Sequence, residues 1–62
     1  MTLRERIVDQ LKYRSLDILQ LTAVCHYSYP NTEREVKDLI SEGLVIEESD
    51  GYLSLTPLGK QD

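Results

Sequence analysis

Phenylalanine and tryptophan are absent from this 62-residue sequence, and cysteine occurs once. Without the two large apolar rings, a core has to be built from Leu, Ile, Val and some of the four tyrosines, so it will be small. The lone Cys25 has no partner for an internal disulfide, which fits a reducing compartment. No apolar run approaches the roughly 18–20 residues needed to span a bilayer. The opening "MTLRERIVDQL" interleaves charge with apolar residues and lacks the continuous apolar stretch of a signal peptide. The expectation is a cytoplasmic protein with no membrane partner. Basic residues are also scarce. Seven Lys and Arg face eleven Asp and Glu, and the net charge of −4 argues against coating nucleic acid by bulk electrostatics. A reader with a local basic patch is still allowed.

Metal and catalytic groups are equally thin. Cys25-His26 is the one thiol–imidazole pair, whereas a structural zinc site usually takes four such ligands. Neighbours on a helix point about 100° apart, so the two do not converge for nucleophilic chemistry. Cys25 reads as core filler and His26 as a partly exposed helix end. "GYLSLTPLGK" lacks P-loop spacing, with Gln61 where Ser or Thr should follow the lysine. The acids of "EESD" form no calcium loop and read as a charged hairpin edge guarded against strand pairing. No enzyme, cofactor or metal is expected.

With 40% hydrophobic and 29% charged residues, the composition is that of a folded chain, here one domain over residues 1–62. Thr2 and Glu5 have capping-box spacing, and Leu3, Ile7, Val8 and Leu11 form an apolar stripe, predicting a helix over about 2–13. Ser15 or Asp17 can cap a second helix over about 17–27. Its apolar face is Ile18, Leu21, Thr22 and Cys25, widened by Leu19 and Val24. Pro30 turns the chain, after which Asn31 or Thr32 caps a third helix over about 31–42, buried through Val36, Leu39 and Ile40. Gly43 supplies a left-handed stop. "LVIEES" and "YLSLT" then read as strands turning at Ser49 to Gly51, where Asp-Gly tolerates positive φ, with Pro57 and Gly59 loosening the end. Leu3, Ile7, Leu11, Leu21, Val36, Leu39, Ile40, Leu44 and Leu55 are the expected core.

This is a mainly α chain with a small β-hairpin, in the order of a winged helix-turn-helix: three helices plus a two-stranded wing. "REVKDLISEGLV" resembles the recognition helix and wing entry of small regulators of the MarR, ArsR and PadR kinds. "YLSLTPLGK" resembles their second wing strand and exit. The resemblance implies a transcriptional regulator whose third helix enters the major groove of double-stranded DNA while the wing lies near the backbone. Carried over by position, Asn31, Glu33, Arg34 and Lys37 face outward, and Arg34 stands where these families often place an arginine.

Six residues are the candidate DNA contacts: Ser28, Tyr29, Asn31, Thr32, Arg34 and Lys37. Ser28 and Tyr29 would hold a phosphate beside the helix start. Arg34 would contact phosphate or guanine. The alternative for Tyr27 and Tyr29 is ring packing in the core. For Arg34 and Lys37 it is ordinary surface charge, with Glu33–Lys37 an i, i+4 pair. Acids crowd the same region: residues 33–50 carry Arg34 and Lys37 against seven carboxylates. Residues 1–14, by contrast, hold four cations and two acids. That polarity suits a protein-binding adaptor using the acidic third helix and wing. The first helix is needed to cover the core and three residues follow Gly59, so a monomer or weak homodimer is expected.

Overall fold

Thr2 opens the first helix as its spacing predicts. Its hydroxyl accepts the Glu5 amide at 3.2 Å, and its own amide donates to the Glu5 carboxylate at 2.9 Å. These bonds to Thr2 hold the Glu5 carboxyl below its ordinary pKa. The structure, a computed structural model, describes residues 1–60. It contains α1 (Leu3–Leu11), α2 (Ile18–Cys25), α3 (Tyr29–Ser41), β1 (Val45–Glu47) and β2 (Leu53–Leu55). This is the winged-helix-like layout of three helices and an antiparallel hairpin. No helix among the described residues is long and apolar enough to cross a membrane.

Asp17, not Ser15, caps α2, in a second capping box with Gln20 (2.8 and 3.1 Å). The helix stops where His26 turns left-handed at φ 60°, a conformation His tolerates better than most residues. Only His26, Tyr27 and Ser28 separate α2 from α3, the short turn of a helix-turn-helix.

The third helix starts two residues earlier than its sequence suggests. Ser28 is the cap, its hydroxyl accepting the Asn31 amide at 3.4 Å, and Pro30 sits inside the first turn. A first-turn amide has no partner within the helix, so a proline there loses nothing and brings a helical φ. At the other end Gly43 (φ 80°) closes a Schellman motif. Its amide donates to Ile40 and that of Leu44 to Leu39, both at 3.0 Å.

The hairpin pairs Val45 with Leu55 and Glu47 with Leu53. Glu48 accepts the Gly51 amide at 3.0 Å, and of the Asp-Gly pair only Gly51 has positive φ, giving a three-residue loop. Leu16 adds a one-residue bridge on the other side of β2, exchanging main-chain bonds with Leu53 at 3.3 and 2.8 Å. No periodicity marks an isolated bridge, and Leu16 lies outside the expected helices, strands and core. It is nonetheless buried.

Leu3, Ile7, Leu11, Leu21, Val36, Leu39 and Leu55 are buried as expected, joined by Leu16, Cys25, Val45 and Leu53. Burial also pushes the Cys25 thiol upward in pKa, as befits an inert core group. Two expected core residues differ. Ile40 is exposed and Leu44 only half-buried. On α3 the buried side runs Thr32–Val36–Leu39, and Ile40 lies about 100° beyond Leu39, past its edge. Leu19 is exposed as well, because α2 buries only the side bearing Leu21 and Cys25.

The segment after β2 is pinned, not loose. The Thr56 hydroxyl donates to the Gly43 carbonyl at 2.6 Å and accepts the Gly59 amide at 3.1 Å. The Thr56 amide donates to Leu44 at 3.0 Å. Gly59 is pressed against the Leu44 carbonyl, where any Cβ would collide with main chain. The Leu-Thr-x-x-Gly spacing therefore fastens the chain end to the helix-to-wing corner.

Leu39→Ala should cost about 2–5 kcal/mol, enough to unfold much of so small a domain, and thermal denaturation would show it. Gly59→Ala should cost about 1–3 kcal/mol through overpacking against main chain that cannot yield. A Gly59→Ala protein melting with the parent would disprove that close approach.

Candidate nucleic-acid interface

A helix rotates about 100° per residue, which sorts the outer residues of α3 around Arg34. Ser41, Pro30 and Asp38 fall within roughly 40° of it, and Asn31 and Lys37 at roughly 60° on either side. All six are exposed. Together they make one outward stripe, opposite the buried Thr32, Val36 and Leu39. Glu33 and Glu35 lie at about 100° on the two flanks, and both are half-buried. Glu33 therefore does not face outward as its position suggested.

The fourth acid of the region is neutralised. Glu42 forms an ion pair with Arg4 of α1, the one such pair among the described residues. The expected Glu33–Lys37 pair is not made. On the stripe itself two cations, Arg34 and Lys37, face one carboxylate, Asp38. The helix is acidic in total but mildly basic on the side it presents. Ser41 is not singled out by the sequence, although its i+7 spacing from Arg34 is legible there, and Asp38 counts there among the acids of the third helix.

The six candidate residues do not act as a unit. Asn31, Arg34 and Lys37 come together on the stripe. Ser28 is exposed at the helix start, but its hydroxyl is engaged as the cap. Tyr29 is exposed, yet lies roughly 140° around the helix from Arg34. Thr32 cannot contact a partner in this fold. Its side chain is 0% exposed, and its hydroxyl donates to the Ser28 carbonyl at 2.9 Å. Facing the core, it satisfies its polar atom locally, which is why it is buried without penalty.

Tyr27 and Tyr29 both stay outside the core, so neither replaces the missing phenylalanines. The Arg6 guanidinium stands 5.9 Å from the Tyr27 ring centroid, within cation–π range. The wing tip is the opposite of basic. Glu47, Glu48 and Asp50 are all exposed there, and none is in an ion pair among the described residues.

No protein-family model matches the chain, and no curated protein is significantly similar to it.

Replacing Thr32 by Val, which fills the same space without the hydroxyl, should lower stability by about 1 kcal/mol and leave the outward stripe untouched. If Thr32→Val instead altered binding of a partner with stability unchanged, its assignment to the core would fail.

Proposed function

We propose that this protein is a small winged-helix DNA-binding regulator, akin to the MarR, ArsR and PadR kinds, with α3 as the reading helix. The observation that supports the reading is the charge sorting on α3. Asn31, Arg34 and Lys37 share the exposed side, while Glu42 is held by Arg4 and Glu33 and Glu35 lie on the flanks. Arginine and asparagine are suited to base edges, pairing with guanine and adenine through two hydrogen bonds each, and lysine to phosphate. The start of α3 offers the helix dipole and the Tyr29 amide to a phosphate, since Pro30 has no N–H and the Asn31 amide is taken by Ser28. The acidic wing tip would stand clear of the backbone, because each carboxylate near phosphate costs affinity.

The exposed acids of the wing tip also favour a second reading, an adaptor that docks a basic protein surface through Glu47, Glu48 and Asp50. The two readings place the contact on different elements.

Titration of the isotope-labelled protein with mixed-sequence duplex DNA separates them. The DNA reading expects amide shifts clustered over residues 29–41 and an affinity that falls with salt at a shallow slope, corresponding to roughly two to four phosphates. Arg34→Ala should weaken binding by about 1–3 kcal/mol, whereas Glu47→Ala or Glu48→Ala should leave it unchanged or strengthen it. Absence of shifts even at low salt would refute the DNA reading.

A further inference from the structure

Three of the chain's seven Lys and Arg residues gather away from α3, around one groove of about 220 Å³. Lys12, Arg14 and Lys60 line it together with Ser15 and Ser54, and no carboxylate among the described residues does. For a chain of net charge −4 this is a marked local excess. None of the three cations has an ion-pair partner among the described residues. The larger depression alongside α1, about 340 Å³, differs in being walled by Val8, Leu39 and Leu44 and carrying Glu5 and Asp9. Lys12 stands on the rim between the two.

The groove is built on fixed main chain. Leu16 and Leu53 bridge antiparallel, which sets Ser15 opposite Ser54, and their hydroxyl oxygens lie 2.7 Å apart. In such a pair one hydroxyl donates to the other, so the second keeps a proton to give a ligand. The Leu55–Val45 pair beside it is the one farthest from the hairpin turn. The groove therefore occupies the opposite end of the hairpin from the acidic tip, and it shares no residue with the stripe on α3.

We propose that this groove binds the dianionic phosphate of a phosphate monoester. Three cations lining one groove exceed what a single carboxylate charge would neutralise, and they match a group carrying close to two charges with three acceptor oxygens. Arg14 supplies a planar fork of donors, the lysines supply point charges, and the serine pair supplies a neutral donor. The same chemistry occurs on a free phosphorylated small molecule and at the 5′-phosphate of a nucleic-acid end.

The test is a titration of the full isotope-labelled chain with glycerol 3-phosphate, against glycerol and sodium chloride at matched ionic strength. Saturable shifts at Ser15, Ser54 and Lys60 are expected at pH 7.5. They should weaken at pH 5, where the monoester (second pKa about 6) holds one proton more. Arg14→Ala and Lys60→Ala should each weaken binding about threefold to fivefold, in keeping with exposed charges, while Lys37→Ala should not. All three side chains are exposed, so the variants should keep the parent's spectrum elsewhere. Duplexes with and without a 5′-phosphate form a second arm. Shifts in the groove with the phosphorylated duplex alone would assign the monoester to a nucleic-acid end, and shifts with neither would assign it to a small molecule. Shifts reproduced by sodium chloride, or confined to α3, would overturn the proposal. Loss of the DNA response of α3 would leave it standing.

Discussion

Eleven buried apolar side chains, none of them aromatic, form the core among the described residues, and every element contributes to it. Helix α1 gives Leu3, Ile7 and Leu11, while α2 gives Leu21 and Cys25 and α3 gives Val36 and Leu39. The hairpin adds Val45, Leu53 and Leu55, and Leu16 comes from the connection. Helices of eight to thirteen residues are marginal in water on their own, and so is a hairpin of three-residue strands. Each therefore exists because the others cover its apolar side. That dependence explains why one central truncation is expected to be so costly, and why capping recurs: three helices carry three side-chain caps that satisfy amides the small core cannot shelter.

Hydrogen bonds at its base fasten the wing, alongside the burial of Val45, Leu53 and Leu55. Gly43 ends α3 by turning left-handed, and the next residue already belongs to the hairpin entry. Thr56 then ties the exit of β2 back to Gly43 and Leu44, and Gly59 packs flat against the same corner. Entry and exit of the hairpin are thus fastened at one point. The bridge from Leu16 to Leu53 fixes its other edge to the α1–α2 connection. The wing is thus held on both sides, at its base by Gly43 and Leu44 and along β2 by Leu16.

The charges separate into three regions as a result. The stripe of α3 is mildly basic, the wing tip is acidic, and the end of the hairpin remote from the tip is basic. In the whole-chain count of seven bases against eleven acids the two basic regions do not show. In the fold they face different directions, where solvent and salt screen them over about 8–10 Å. Arg4 is central to this arrangement: by pairing with Glu42 it removes a carboxylate from the end of α3.

The sequence by itself determined the order of elements, the stop at Gly43, the turn near Ser49 to Gly51 and most of the core. These follow from spacing of apolar residues and from the conformations open to Gly, Ser, Thr and Asp, which act over a few residues. It did not determine that Ser28 rather than Asn31 or Thr32 caps α3, because all three are good caps and only the position of the buried stripe decides among them. Nor did it separate Thr32 from its exposed neighbours, or Ile40 from Leu39, since the boundary of a helix's buried side depends on what packs against it. The Leu16 bridge, the Arg4–Glu42 pair and the gathering of Lys12, Arg14 and Lys60 lay outside its reach for the same reason. Each joins residues tens of positions apart, and such contacts are set by how the elements pack, which no local spacing encodes.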